Sequence, residues 1–312
     1  MKSIAILHFP RIVPDDREPA LFNPILKKRF KNRPEERVRL KWTDYLLLQT
    51  DWPKSRIGFE APVQLEQEKN TLRADLVLYN RQMAPEILIE CKAESVRLTQ
   101  AVAEQAARYN RDVDAPFICL TNGINDFWYR IDKGKVEPIN PREDENFPIQ
   151  ETVSFSDLSR NTEYWKSHGF CAGNFPESDA MALQQTISHF WSPAIDWPIN
   201  YLNFPSTPFD FGLQQYYRIP VIDNEQRLAI TFLGIPDGTS HLLAILNNKG
   251  QNSGILSVNL NRLSDNHPDS ATLIYSGKQE KTDAGKHLPI FRNGFSPKLI
   301  EQLPQYLMRF FV

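Results

Sequence analysis

Residues 73–79 read RADLVLY and residues 86–92 read EILIECK, with a short connection around Met83 to Pro85 between them. In an extended chain, successive side chains alternate between two faces. Arg73, Asp75, Val77 and Tyr79 then share one face of the first segment, and Leu72, Ala74, Leu76 and Leu78 share the other. In the second segment Ile87, Ile89 and Cys91 point one way, while Leu88, Glu90 and Lys92 point the other. The short connection predicts an antiparallel pair, which sets Asp75 beside Glu90, with Lys92 emerging two residues further on.

Two carboxylates held close repel each other, and a bound cation relieves the repulsion. Phosphodiester hydrolysis needs a divalent ion to activate water and to neutralise charge on the phosphate. Magnesium takes oxygen ligands, typically one or two carboxylates with water and phosphate. Asp75 and Glu90 are therefore the candidate metal ligands, helped by the backbone carbonyl of Cys91. Lys92 is the candidate group for orienting water or stabilising developing negative charge. An E-x-K tripeptide alone is weak evidence, because solvated charges on a surface strand read the same way. The Asp75 strand just ahead of it makes the set more specific.

Around this pair the chain alternates helix and strand signals. A helix is predicted from about Pro34 to Gln49, with Pro34 in the first turn, Glu35 and Glu36 at the positive end of the dipole, and Val38, Trp42, Tyr45 and Leu46 at helical spacing. Strands follow at Ile57 to Leu65, Leu72 to Tyr79 and Glu86 to Lys92. A second helix covers Leu98 to Asn110, with Leu98, Val102, Ala106 and Tyr109 on its apolar stripe. Gln105 falls on that stripe four residues before Tyr109, so the two are neighbours on one face. A glutamine there needs a polar partner, which an active site on the sheet supplies; a partly exposed position at the stripe edge explains it equally. Pro116 to Leu120 reads as a short strand. A hairpin of FWYRID and KVEPI turns at Lys133-Gly134. The order α-β-β-β-α-β implies a sheet flanked by helices.

Residues 138–154 begin PINPREDENFPIQE and read as a linker. Beyond them a helix is expected from Asp179 to Trp191, with strands at LAITFLGI, HLLAILN and ATLIYSG and a helical segment from Lys298 to Phe311. The expectation is an α+β chain: a domain over 1–137, a linker over 138–154, and a β-rich domain over 155–312 whose sequence carries no assignable chemistry.

Hydrophobic residues make up 41% and charged residues 24%, the balance of a globular protein, and the net charge of −2 excludes only a globally basic surface. Three dispersed cysteines give no disulfide framework, and no apolar run approaches the roughly 20 residues of a membrane span, so a cytoplasmic protein is expected. The stretch KKRFKNRPEERVRLK (27–41) concentrates positive charge. It suits backbone phosphates, or a solvated helix face balanced by Glu35 and Glu36. Phe127, Trp128 and Tyr129 are read as an alternating strand with two buried aromatics. His168 and Cys171 have ligand-like spacing without a second pair, short of what zinc needs.

The block from about Leu21 to Arg130 resembles the N-terminal nuclease domain of type I restriction enzyme R subunits and their stand-alone relatives, within the PD-(D/E)xK nucleases. The matching text is RPEERVR (33–39), WPKSRIGFE (52–60), RADLVLY (73–79), ILIECKA (87–93), QAARYN (105–110) and LTNG (120–123). The resemblance implies a restriction-endonuclease-like core, with Asp75, Glu90 and Lys92 as metal and catalytic residues. It also implies a role for Gln105 and Tyr109, the Q-x-x-x-Y pair shared with RecB-like nucleases. Glu36 and Glu60 are the candidates for a further acidic ligand, with Glu36 favoured. Full R subunits also carry an ATP-driven motor, but this chain has no G-x-x-x-x-G-K-[ST] loop, so it is not a translocating subunit by itself.

The expected function is a Mg2+- or Mn2+-dependent, endonuclease-like hydrolase acting on DNA in restriction or defence. RNA is the weaker substrate alternative, and restriction-system subunits or a second copy of the chain are the candidate protein partners. The competing class is a nuclease fold retained as a DNA-binding or assembly module without turnover.

Overall fold

The computed structural model describes all residues except 14–18, 64–71, 100–103, 105, 106, 108, 109, 174–176, 205–208, 210, 263–267 and 289–296. The chain divides into two units, Met1–Leu158 and Ser159–Val312. It is an α+β protein with several sheets and few helices.

The first unit opens with three short antiparallel strands, β1 (Arg11–Val13), β2 (Ala20–Asn23) and β3 (Lys28–Phe30). Helix α1 (Pro34–Gln49) follows with the expected bounds, and its first turn carries Pro34, Glu35 and Glu36. It ends where Thr50 becomes extended and donates its hydroxyl to the Leu46 carbonyl at 2.7 Å. A six-stranded sheet then runs in chain order: β4 (Ile57–Val63), β5 (Leu72–Tyr79), β6 (Pro85–Cys91), β7 (Phe117–Thr121), β8 (Asp126–Asp132) and β9 (Lys135–Ile139). All neighbours are antiparallel except β6 and β7. A parallel neighbour requires a crossover, here residues 92–116, and within it residues 104, 107 and 110–113 are helical. The expected second helix thus extends to 113, and Leu98 lies outside it.

The core forms where α1 lies against the sheet. Val38, Leu40, Trp42, Tyr45 and Leu46 pack with Ile57, Phe59, Leu76, Leu78, Ile87, Ile89 and Cys91. Each fully buried aliphatic side chain here contributes about 1.5–3 kcal/mol. On the opposite face Val77 and Leu88 pack with Ala115. One predicted assignment fails. Ala74 packs with Val77 and Leu88 rather than with Leu76 and Leu78, so strict alternation breaks at Asp75. A second difference concerns residues 138–154, expected as a linker: Ile149 is buried in this core and Phe147 packs against it. Apolar side chains spaced among prolines and acids were enough to fold the segment back.

The β8–β9 hairpin turns at Lys133 and Gly134, both with positive φ (49° and 78°), as a tight two-residue turn demands. Of the three aromatics on β8 Trp128 is buried, Phe127 exposed and Tyr129 half-buried, against the expectation of two buried aromatics.

The second unit is built on a seven-stranded antiparallel meander, β10 (Ile199–Leu202), β11 (Gln215–Arg218), β12 (Gln226–Gly234), β13 (Ser240–Asn248), β14 (Gln251–Asn259), β15 (Ala271–Tyr275) and β16 (Lys278–Thr282). The three strands expected from sequence are β12, β13 and β15. Helices span Thr162–Ser167, Glu177–Phe190, Pro297–Glu301 and Leu303–Met308. The C-terminal segment, expected as one helix, breaks at Gln302 because Pro304 has no N–H to continue the ladder. Among the described residues no helix is long and apolar enough to cross a membrane.

Candidate active site

The site lies midway along β4 and β5, at the C-terminal end of β6 and against the first two turns of α1. On β5 and β6, Leu76 pairs with Ile89 and Val77 with Leu88, and one further step in that register sets Asp75 opposite Glu90. On the other side of β5, Phe59 pairs with Leu76 and Ala61 with Ala74, which sets Glu60 opposite Asp75. Glu60 adopts φ 50° inside a strand, a left-handed conformation uncommon for a residue with a side chain. Three adjacent strands thus place three acids in one row.

Asp75 uses both carboxylate oxygens. Oδ2 accepts the backbone N–H of Cys91 at 2.8 Å, and Oδ1 lies 2.8 Å from Nη2 of Arg39. The other guanidinium nitrogen, Nη1, lies 3.2 Å from Glu60 Oε1 and 3.3 Å from Glu36 Oε2. The guanidinium also sits over the Phe59 ring, 5.1 Å from its centroid. Lys92 donates to Glu90 Oε1 at 2.8 Å, which places them on one face as their spacing predicts. The strands therefore bring together Asp75, Glu60 and Glu90 with Lys92, and α1 adds Glu36 and Arg39.

Burial decides the electrostatics. It raises the Asp75 carboxyl above its ordinary value despite Arg39, the Cys91 N–H and Lys92. It also raises Glu90, with the charge of Asp75 as the next cause and Lys92 opposing. A neighbouring carboxylate acts in this direction, since its charge disfavours ionisation of the second. Glu36 is pushed up to about 7, first by burial, with Arg39 opposing and Glu60 and Asp75 adding to the rise. Arg39 shows the converse: burial works against its charge, yet Asp75 and Glu36 outweigh burial and hold its pKa above the usual value. The Cys91 thiol is buried and raised well above its ordinary value, so it is protonated and inert near neutrality.

Among the described residues no group of three or more His, Cys, Asp or Glu side chains stands close enough to hold a metal ion. The donors nevertheless suit a hard divalent cation in kind, being carboxylate oxygens throughout. One of them, Glu36 Oε1, is buried without a hydrogen-bond partner. A buried oxygen of that kind is costly unless a ligand satisfies it. In this structure the guanidinium of Arg39 stands between Glu36, Glu60 and Asp75.

Gln105 and Tyr109 lie outside the described residues. The basic stretch 27–41 is divided: Lys27, Lys28, Arg29, Lys31 and Arg33 are exposed, whereas Arg37 and Lys41 are buried. Arg37 donates to Asn32 and Lys41 to the Gly123 carbonyl, so neither lies on a phosphate-facing surface. In the second unit His168 Nδ1 pairs with the Tyr164 carbonyl at 2.6 Å, and the Cys171 thiol points at the Thr162 carbonyl, as structural side chains do. Sequence reasoning missed Arg39. The one available signal was its position three residues after Glu36 on a helix, which makes an ion pair natural.

Residues 34–141, about a third of the chain, match the family model of the type I restriction enzyme R protein N terminus. That match supports a relation to restriction enzymes for this segment, which contains α1, β4 to β9 and every site residue named above. Searches of characterised proteins and of solved structures returned no match to the chain.

Proposed function

We propose that the first unit is a metal-dependent nuclease of the PD-(D/E)xK type, with a restriction-endonuclease-like core, that hydrolyses DNA phosphodiester bonds in a restriction or defence system. The observation that carries this reading is the β5–β6 register, whose next step sets Asp75 opposite Glu90, with the Asp75 charge acting on Glu90 and Lys92 bonded to Glu90. The match to restriction enzyme R proteins over residues 34–141 supports it.

Asp75 and Glu90 would hold Mg2+ or Mn2+, with the Cys91 carbonyl and Glu36 or Glu60 as further donors. The ion, when bound, supplies charge neutralisation at the phosphate and lowers the pKa of a water. Lys92, which here donates to Glu90, would orient that water and stabilise charge on the phosphoryl oxygens. The β6 strand, whose Ile87 and Ile89 are buried in the core, fixes the positions of Glu90 and Lys92. Restriction-system subunits are the partners this reading suggests.

Hydrolysis of duplex and single-stranded DNA, and of RNA, in Mg2+ or Mn2+ tests the reading. Wild type should cut DNA, and Asp75→Ala and Lys92→Ala should each abolish cutting. Cutting untouched by both substitutions rejects the site. DNA binding without cutting, indifferent to chelator, favours a module without turnover.

A further inference from the structure

We infer that Arg39 is the resident counter-cation of the acidic site, holding the carboxylates of Glu36, Glu60 and Asp75 together until a divalent ion displaces its guanidinium from Asp75. The inference rests on the reading of Asp75 and Glu90 as metal ligands, and it concerns how that site is kept assembled and how tightly it binds.

At this site Arg39 lies within ion-pair distance of Glu36, Glu60 and Asp75, and Lys92 within ion-pair distance of the fourth carboxylate, Glu90. A single guanidinium bridges three of the four. A magnesium ion at about 2.0–2.1 Å from Asp75 Oδ1 would face the Arg39 guanidinium, whose Nη2 lies 2.8 Å from the same oxygen, and two cations at that range repel. The ion and the guanidinium therefore compete for the same oxygen. Asp75 Oδ2 is engaged by the Cys91 N–H, so Oδ1 is the oxygen whose partner must change.

A second observation points to a ligand beyond Arg39. Glu36 is more than nine-tenths buried, and its Oε1 has no partner while its Oε2 holds Arg39. The bridge thus leaves one donor of the cluster unused, as expected of a stand-in for an ion with more coordination positions. The Phe59 ring under the guanidinium offers a face on which the cation can rest after it leaves Asp75. Once displaced, Arg39 stays tethered to α1 beside the site, where an anionic phosphate is the natural new partner.

The test is calorimetric titration of the full chain with Mn2+, comparing wild type, Arg39→Met, Arg39→Lys and Asp75→Asn. Removal of the competing cation should tighten Mn2+ binding in Arg39→Met by about tenfold or more. Arg39→Lys should fall near wild type, and Asp75→Asn should lose binding. Equal or weaker Mn2+ affinity in a folded Arg39→Met overturns the inference while leaving the metal site standing. No Mn2+ binding in wild type or in Arg39→Met overturns both. If Arg39→Met fails to fold, the arginine side-chain N–H resonances of wild type decide. A guanidinium signal assigned through Arg39→Lys should move on addition of Mg2+, and a signal that stays fixed while Mg2+ binds rejects displacement.

Discussion

Two buried arginines, one in each unit, show what separates a site from a scaffold. Arg218 in the second unit is almost wholly buried and donates to the carbonyls of Ile195, Trp197 and Ser192 at 2.5, 3.1 and 2.8 Å. Burial pulls its pKa down to about 10, with Asp196 only partly compensating. Arg39 is less deeply buried, its side chain 12% exposed, and carboxylates rather than carbonyls surround it, so its pKa moves up. Neutral dipoles stitch backbone segments together around Arg218. Formal charges crowd around Arg39 beyond what one cation neutralises. Stability alone does not favour that crowding, because each extra buried carboxylate carries a desolvation cost. An excess of one sign in a buried cluster is the mark of a place that binds or reacts.

The largest expected effect sharpens that contrast by separating activity from stability. Glu90→Gln removes a charge that Asp75 repels, so Tm should be unchanged or higher, while hydrolysis should fall by about a hundredfold or more. Thermal melts and cleavage rates on the same preparations check it. A variant that loses Tm and keeps its rate would place Glu90 with Arg218, among the structural groups. Arg218→Met should do the reverse. It strands three carbonyls that now share one guanidinium, at a cost of about 3 kcal/mol in the second unit, with cleavage per folded molecule unaltered.

How much of this was readable beforehand follows the same division. Helix α1 was legible because Val38, Trp42, Tyr45 and Leu46 recur at helical spacing, β5 from its apolar run and β6 from its alternation, and the positions of Glu90 and Lys92 on one face follow from spacing alone. The three short strands β1 to β3 carry no such period, since KRF and RIV are too brief to alternate. Residues 138–154 looked like a linker because prolines and acids dominate the text, yet Phe147 and Ile149 pack into the core and Glu151 accepts from Tyr45 and Gln49 of α1. In the site, Glu60 and Glu36 were candidates by type. Arg39 was legible only as a helical neighbour of Glu36, because Glu60 and Asp75 reach it from two strands that only the folded chain brings to α1. The break in alternation at Asp75 was hidden for the same reason: it depends on a neighbouring strand, not on the strand's own letters.

The two units should also respond to pH in opposite directions. Glu36 has a folded pKa of about 7 against an ordinary 4.5, so between those values the native state holds more protons than the unfolded chain. Its contribution therefore weakens as pH rises through that window. In the second unit burial lowers His241 to about 4 from 6.5, and its ring nitrogens face the hydroxyls of Ser257 and Thr239. There the unfolded chain binds more protons, so stability is full above about 6.5 and falls as pH drops toward 4. Each effect is at most about 3 kcal/mol. Urea unfolding in chelator across pH 4–8 should show the first slope flattened by Glu36→Gln and the second by His241→Gln. A Glu36→Gln protein with the wild-type slope would mean that its carboxyl ionises freely, and the picture of a crowded acidic site would weaken with it.

The smallest effect isolates the backbone at residue 60. Gly134 and Glu60 both have positive φ, 78° and 50°. At Gly134 the hairpin turn requires it and an added Cβ would meet nothing within 4 Å. Glu60 lies within a strand, where the neighbouring pairs Phe59–Leu76 and Ala61–Ala74 keep an ordinary register, so no turn demands the conformation. What it does achieve is to bring the carboxylate within 3.2 Å of Arg39. Glu60→Ala and Glu60→Gly remove the same charge, and they differ in the freedom of the backbone alone. In a regular strand the glycine variant would be the less stable, by about 0.5–1 kcal/mol. With residue 60 held in the left-handed region, the order should invert, with Glu60→Gly more stable than Glu60→Ala by about 1 kcal/mol. If alanine proves the better residue, the strand is relaxed at this point. Local strain would then not account for how the third acid reaches the guanidinium.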